Sequence, residues 1–226
     1  MVFSSLFFLY FFMPLLFIFY FAWNRTAYRN WVLIAASFLF YAWGEPVWFV
    51  LLAVCGVSGY FLGEGIKKYG KSATGKWILA AGVALNLSML GFFKYIDFLI
   101  GNLNLLPFVE LPYVGVALPI GISFYTFHHI SYVVDIYRGE RKALRNPVSF
   151  ATYISMFPQL VAGPIVRFKE IADQLPQRRL HRLDDIAAGF PRFALGLCKK
   201  AIVADSLAPL ATACFRTPAD EMTFAI

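Results

Sequence analysis

The chain has 226 residues, of which 60% are hydrophobic, 19% aromatic and only 15% charged, against about 25% charged in a soluble domain. This composition predicts an integral membrane protein, because so many aromatic side chains suit lipid and the membrane interface better than water. The net charge of +7 is carried mainly by short loops between apolar runs, which favours membrane topology over nucleic-acid binding.

The first apolar run, Met1–Asn24, contains no charged residue. A cleavable signal peptide has a positively charged start and a shorter apolar part, so this run is predicted to be a retained membrane span. Two further uncharged stretches, Asn30–Gly44 and Val47–Gly63, are separated by Glu45 and Pro46. Because the residue before a proline avoids the helical conformation, the pattern predicts a helical hairpin that crosses the membrane twice.

The predicted hairpin ends in a loop with four lysines between Lys67 and Lys76. Basic loops prefer the cytoplasmic side, so this loop is predicted to be cytoplasmic and the N-terminus to lie outside. The next span is predicted over Trp77–Phe93 and to end at Lys94, whose long side chain can reach the interface. The short apolar run that ends at Val109 is then expected to form an interfacial turn on the outer side.

The predicted architecture is arranged around Leu118–Arg167, where two uncharged runs flank a basic loop. The first run, Leu111–Val134, is long enough to cross a bilayer. The second run, Asn146–Val166, contains three prolines and has basic residues at both ends, which predicts a re-entrant segment that enters and leaves by the cytoplasmic face. Broken backbone at membrane depth must be buried in protein or line a cavity, so a membrane cavity is predicted here.

Apolar residues recur at spacings of three and four over Leu183–Ala201, which predicts an amphipathic helix. Asp184 is placed at its N-cap, Lys199 and Lys200 near its other end, and Pro191 at a kink. The helix is expected to lie in the cytoplasmic membrane interface, and a plain helix packed on the bundle is the alternative. The predicted fold is all-α, a polytopic transmembrane helical bundle with a re-entrant segment and an interfacial amphipathic helix.

His128 and His129 are the only histidines inside an apolar run, and an ionisable group at membrane depth points to function. Adjacent helix positions point about 100° apart, so only one of the two is expected to face a cavity. Asp135 follows His128 on roughly the same face, which favours structural or tunnel-lining polarity over direct chemistry. Asp135 and Arg138 have the spacing of an intrahelical ion pair at the interface.

Other motifs add little chemistry. Gln159 and the pair Gly163-Pro164 lie in the predicted re-entrant segment, where glycine permits close backbone approach. Three cysteines form no CxxC pair, so neither a metal site nor a disulfide framework is predicted. The sequence contains no HExxH, GxSxG or glycine-rich phosphate motif. The residues alone therefore predict a membrane cavity and no reaction.

Two segments in order, LPIGISFYTFHHISYVVDIYRG and FPQLVAGPIVRF, resemble the membrane-bound O-acyltransferase family. The segments MVFSSLFFLYFFMPLLFIFYF and NWVLIAASFLFYAWGEP resemble in particular the bacterial members that acetylate an exported polysaccharide such as alginate. The resemblance runs from the first residue to about Leu210. It implies that residues 1–226 are the N-terminal part of a single membrane domain of this family, in the bacterial inner membrane.

The resemblance also implies a tunnel through the membrane. An acyl group would pass from a cytoplasmic donor, acetyl-CoA or another acyl thioester, to an acceptor outside, with periplasmic acetyltransferases as partners, membrane lipid around the protein and no bound cofactor. On this basis the predicted tunnel residues are Ser123, Phe124, His128, Asp135, Gln159, Gly163 and Pro164.

The sequence departs from the family pattern in one respect. The family carries its catalytic histidine in a later WRRWH-like segment, which these residues lack, and neither His128 nor His129 inherits that role. No catalytic residue is therefore predicted, and the chain alone is expected to be inactive and unstable. A non-enzymatic membrane subunit for polysaccharide assembly or export is the alternative. A WRRWH-like segment encoded beyond Ile226 would favour the acyltransferase.

Overall fold

The structure is a computed structural model that describes residues 3–160, 163, 165–177 and 183–217. All regular elements in these ranges are helical, which confirms the predicted all-α class. The described residues divide into two compact units, one within Leu15–Arg178 and one within Val2–Pro14 and Arg179–Ile226.

The helices follow one another along the chain with short connections. An N-terminal helical stretch is π-helical over Phe8–Phe12 and continues as α1 (Met13–Ala22). The helices that lie wholly within the first unit are α2 (Thr26–Gly44), α3 (Phe49–Tyr69), α4 (Ala73–Leu103), α5 (Ile122–Arg138), α6 (Pro147–Ser155), α7 (Phe157–Leu160) and α8 (Phe168–Ile171). The second unit contains the π-helical stretch Phe8–Phe12 together with α9 (Leu183–Cys198), a second π-helical stretch over Lys199–Ala204 and α10 (Asp205–Arg216).

Within the described ranges, two helices are long and apolar enough to cross a membrane, namely α3 with 21 residues and α4 with 31. The turn predicted between two helices at Gly44–Pro46 is confirmed, because α2 ends at Gly44 and α3 begins at Phe49. The N-terminal helical stretch Phe8–Ala22 is apolar but shorter than the about 20 residues that a span requires.

Helix α4 continues without a break beyond Lys94 to Leu103, so the helix does not end where the span was predicted to end, and the predicted membrane boundary at Lys94 stays a prediction. No proline follows Lys94 before Pro107, so no proline breaks the helix near Lys94. The helix begins as its sequence indicates: Ser72 is the N-cap residue, and its side chain accepts a hydrogen bond from the Gly75 amide at 3.2 Å.

The prediction of a continuous span over Leu111–Val134 is wrong. Residues 111–119 are not helical and α5 begins only at Ile122, after Pro119 and after Gly121, whose φ of +79° lies in the left-handed region. Side chains of α4 and of its C-cap residue satisfy the extended backbone: Asp97 Oδ1 accepts from the Val114 amide at 2.8 Å, and Asn104, the C-cap, exchanges two hydrogen bonds with the backbone of Leu111.

Helices α3 and α5 pack closely because two glycines of α3 face aromatic side chains of α5. A side chain at Gly59 would lie 2.6 Å from the His129 ring, and one at Gly63 would lie 2.8 Å from the Tyr132 hydroxyl. Glycines four residues apart let membrane helices approach each other closely. This contact positions α5, which carries most of the predicted tunnel residues.

The proline-rich run breaks between α6 and α7 at Met156, whose ψ of 110° is not helical. Met156 is half-buried between the buried residues Ser155 and Phe157, and backbone groups beside the break have partners. The Phe157 amide donates to Ser37 Oγ at 3.1 Å, and the Tyr153 carbonyl accepts from the Gln159 side chain at 2.7 Å. Both requirements for interrupted backbone away from water are therefore met, namely burial and hydrogen bonding.

In the second unit, the predicted amphipathic helix is present as α9, with Pro191 inside it. The N-cap assignment of Asp184 is wrong, because α9 begins at Leu183 and Asp184 lies in its first turn. A carboxylate there still interacts favourably with the helix dipole. Large apolar side chains of α9, among them Phe190 and Leu195, are exposed in the structure.

Candidate functional site

Both histidines of α5 are fully buried. His128 is 0% and His129 1% exposed, and none of their four ring nitrogens has a hydrogen-bond partner in the part of the chain that the structure describes. The His128 ring lies 5.5 Å from that of Tyr153 on α6, whereas the His129 ring stacks on Phe150 at 6.1 Å. The two imidazoles thus point to different neighbours, as expected for adjacent helix positions.

Asp135 is a buried anchor for the segment that follows the broken helix. Its Oδ2 accepts from Ser131 Oγ at 3.3 Å and from the Lys169 amide at 3.1 Å, at the start of α8. Its Oδ1 lies 3.6 Å from the Arg167 guanidinium. The ion pair predicted with Arg138 is wrong, because the fold brings Arg167 to this carboxylate, whereas Arg138 is exposed.

Tyr153 joins the histidine region to the broken backbone. Its hydroxyl lies within hydrogen-bond distance of two carbonyl oxygens, that of His128 at 3.4 Å and that of Val166 at 3.3 Å. Its own carbonyl is the group that Gln159 caps at 2.7 Å. The buried amide of Gln159 therefore has a structural role at the end of α6, in addition to its predicted place in a tunnel wall.

The remaining predicted tunnel residues lie near the two ends of this region. Ser123 and Phe124 are half-buried in the first turn of α5. Gly163 packs so closely that a side chain there would collide with the Pro158 carbonyl oxygen, which agrees with the predicted close backbone approach. Pro164 lies outside the described residues.

A cavity of about 550 Å³ lies at the end of α5 and the start of α6. It is bounded by the basic loop between these helices and by residues that follow α8. Its lining residues are Gly139, Glu140, Arg141, Lys142, Ala143, Leu144, Arg145, Asn146, Ser149, Ala172, Asp173 and Pro176. None of the six predicted tunnel residues that the structure describes lines this cavity, so their assignment to a tunnel stays a prediction.

Sequence reasoning missed several residues that build the site. Tyr132 belongs to no recognised motif. Its ring nevertheless packs 4.6 Å from that of Phe150 and 4.7 Å from that of Phe168. Ser131 lies four residues before Asp135, a helical spacing that could have indicated the contact. In the described part of the chain, no three His, Cys, Asp or Glu side chains gather closely enough to hold a metal ion.

The chain is similar to curated bacterial proteins over nearly all of its length. Over 221 residues, 95% of this chain, it is 43% identical to the "Probable alginate O-acetylase AlgI" of Azotobacter vinelandii and to the protein of that name from Pseudomonas aeruginosa. The chain is a homologue of these alginate O-acetylases. It is also 32% identical over 242 residues to the "Peptidoglycan O-acetyltransferase" of Helicobacter pylori, covering 93% of this chain.

These O-acetylase homologues confirm the resemblance seen in the sequence motifs. The chain spans 44% of the Azotobacter protein, 42% of the Pseudomonas aeruginosa protein and 46% of the Helicobacter protein. It therefore matches less than half the length of each relative, and the relatives' names describe the longer proteins. No family model and no solved structure matches the chain.

Proposed function

We propose that this chain is part of a membrane O-acetyltransferase that acetylates an exported polysaccharide. The similarity to alginate O-acetylases, at 43% identity over 95% of the chain, carries the proposal. The similarity to the peptidoglycan enzyme is lower, at 32%, so we favour a polymer of the alginate class as the acceptor. Alginate and peptidoglycan, the two polymers in these names, both offer carbohydrate hydroxyl groups outside the cytoplasm.

The proposed architecture is a multi-pass domain in the bacterial inner membrane. The two membrane-capable helices α3 and α4 support it, as do the basic loops at Lys67–Lys76 and Arg138–Arg145, which belong in the cytoplasm by the positive-inside rule. The hydrogen-bonded break between α6 and α7, which is flanked by buried residues, supports a re-entrant segment. The exposed apolar side chains of α9 support a helix in the membrane interface.

In the proposed mechanism an acyl group moves from a cytoplasmic thioester to the acceptor through a tunnel. The described residues of the tunnel wall would be Ser123, Phe124, His128, Asp135, Gln159 and Gly163. Two observations support α5 as part of this wall: its buried imidazoles lack hydrogen-bond partners among the described residues, and Asp135 fixes the chain that returns from the re-entrant segment. In the related enzymes a neutral histidine outside this chain would remove the acceptor hydroxyl proton.

The function is tested in a cell that lacks its own polysaccharide O-acetylase but keeps the periplasmic acetyltransferase partners. The complete gene is restored and the acetyl esters on the purified polymer are counted by proton NMR. The proposal expects ester content to return, and a polymer that stays free of esters would refute it. A stable protein that restores polymer export without esters would favour the alternative of a non-enzymatic export subunit.

The same assay separates tunnel polarity from direct chemistry at His128. A general base supplies about 100-fold to 10,000-fold in rate, so its loss lowers the rate of ester formation by at least about 100-fold. Because His128 is proposed to line a wall, His128→Gln is expected to keep more than one tenth of the initial rate of ester formation. A loss of 100-fold or more in a variant that is expressed at the normal level would instead place His128 in the chemistry.

The topology is tested by single cysteines in a background that lacks the three native ones. A membrane-impermeant maleimide applied to spheroplasts is expected to label Phe108→Cys, which lies in the fully exposed turn after α4, and to spare Lys71→Cys. Permeabilisation is expected to expose Lys71→Cys to the reagent. Labelling of Lys71→Cys in sealed spheroplasts would contradict the proposed orientation.

A further inference from the structure

The cavity between α5 and α6 has room for a small ligand and does not include any described residue of the proposed tunnel. Its volume of about 550 Å³ falls within the range of about 300 to 1,000 Å³ that is typical of ligand pockets. Its walls combine charged side chains with the apolar side chains of Ala143, Leu144 and Pro176. A pocket of this kind suits a ligand with both a charged and a less polar part.

The charges around the cavity are unequally paired. Arg141 forms an ion pair with Asp173 at 3.0 Å, and Lys169 forms one with Glu140 at 2.9 Å. The hydrogen bond from Lys169 lowers the pKa of Glu140 below its usual value, so this carboxylate is ionised and satisfied at neutral pH. Both acidic groups of the lining therefore have a cationic partner.

Two cationic side chains of the lining remain after this pairing. Lys142 and Arg145 form no ion pair with any residue that the structure describes, and both line the cavity. Arginine and lysine together are the side chains that proteins use to bind phosphate groups. Both side chains are exposed, so the excess positive charge lies at the accessible edge of the cavity.

Hydrogen bonds from two other helices fix the loop that carries these cations. The Leu144 amide donates to the Tyr132 hydroxyl of α5 at 3.2 Å, and the Tyr60 hydroxyl of α3 donates to the Arg145 carbonyl at 3.0 Å. Ala143 and Leu144 are themselves buried. The backbone between Lys142 and Arg145 is therefore held in place before any ligand arrives, which lowers the entropic cost of binding.

The start of α6 adds a further favourable field. Its N-cap residue Asn146 accepts from the Val148 amide at 2.9 Å, and Pro147 occupies the first turn. Asn146 and Ser149 of this first turn line the cavity. The N-terminal end of a helix attracts anions, so the helix and the two unpaired cations act in the same direction.

We propose that this cavity binds a phosphate-bearing anion. Two ligands share this chemistry. The first is the nucleotide end of a coenzyme A thioester, an assignment that rests on the proposed function and deepens it. The second is the headgroup of an anionic phospholipid, an assignment that is independent of the proposed function. The basic loop also has a simpler explanation in the positive-inside rule. That explanation applies equally to the lysine loop after α3, so the two loops can be compared directly.

The test uses the complete protein, purified in detergent, and two probes. Coenzyme A binding is measured by titration calorimetry, and retention of phosphatidylglycerol against phosphatidylcholine is measured by native mass spectrometry. The double variant Lys142→Gln with Arg145→Gln is expected to bind one of the two probes at least about ten-fold more weakly, because each lost charged hydrogen bond is worth about that factor or more. Loss for coenzyme A identifies the nucleotide source, and loss for phosphatidylglycerol identifies the lipid source.

The matched control is Lys71→Gln with Lys76→Gln, which removes the same charge from exposed positions of the other basic loop. This control is expected to bind like the unchanged protein, and the charge-preserving pair Lys142→Arg with Arg145→Lys to retain binding. The wild-type affinity should also fall as salt screens the charges, a result that does not depend on the folding of any variant. The proposal is overturned if the unchanged protein binds neither probe at millimolar concentration, or if both double variants weaken binding equally.

Discussion

Replacement of Gly63 by alanine tests the helix contact that positions α5. In the structure the added methyl group would lie 2.8 Å from the Tyr132 hydroxyl oxygen and 2.9 Å from the adjacent ring carbon. The Tyr132 ring cannot easily retreat, because it packs 4.6 Å from Phe150 and 4.7 Å from Phe168. Its hydroxyl also accepts the Leu144 amide hydrogen bond.

The size of the effect follows from three contributions, two that destabilise the fold and one that stabilises it. Overpacking of a close contact costs about 1 to 3 kcal/mol, and the hydrogen bond to Leu144 adds about 1 kcal/mol if it is lost. Alanine is favoured over glycine inside a helix by about 1 kcal/mol. The expected net loss of stability is therefore about 2 kcal/mol, which corresponds to about a 30-fold change in the unfolding equilibrium.

The measurement is reversible unfolding of the complete protein in mixed micelles with increasing SDS. Gly56→Ala is the matched control on the same helix, because a side chain at Gly56 meets nothing within 4 Å. Gly56→Ala should leave the transition unchanged or raise it, whereas Gly63→Ala should lower it. If Gly63→Ala is as stable as Gly56→Ala, the packing of α3 on α5 described here is refuted.

Three further predictions concern the broken helix and the segment that returns from it. Gln159→Leu removes the cap of a buried carbonyl, so unfolding in SDS should show a loss of about 1 to 3 kcal/mol, and an unchanged midpoint would exclude the capping role. Asp135→Ala releases the start of α8, so trypsin should cleave after Arg167 faster than in the unchanged protein, and equal cleavage rates would contradict the anchor. The contact with Lys169 lowers the pKa of Glu140, so the pair stabilises the fold at pH values above the ordinary carboxyl pKa of about 4.3, and this stabilisation is lost as pH falls through the lower folded pKa. The difference in melting temperature between the unchanged protein and Glu140→Gln should therefore vanish at acidic pH. A difference that stays constant with pH would refute this contribution.

Sequence reasoning succeeded where the signal is local. The turn at Gly44–Pro46 follows from one proline and its predecessor, and broken backbone within Asn146–Val166, which the structure shows at Met156, follows from the prolines of that run. The amphipathic pattern of α9 likewise depends only on spacing within the helix. These features were predicted because the residues that cause them are neighbours in the chain.

Sequence reasoning failed where a distant side chain decides the outcome. The backbone around Val114 can leave the helical conformation because Asp97, from α4, accepts its amide hydrogen bonds. The partner of Asp135 is Arg167, which comes from beyond the broken helix rather than from the next turn. The cavity beside the basic loop, unlike the predicted membrane cavity, could not be inferred from the sequence, because its lining joins the loop before α6 to residues after α8.

The passage of an acetyl group across the membrane is the central claim, and transport in sealed vesicles tests it most directly. Inside-out inner-membrane vesicles that contain the complete protein and its periplasmic partners are loaded with unacetylated polysaccharide and supplied externally with acetyl-CoA labelled in the acetyl group. The account predicts that label accumulates as esters on the enclosed polymer, and that vesicles without the protein show none. Equal labelling with and without the protein, or label confined to the outside, would contradict it.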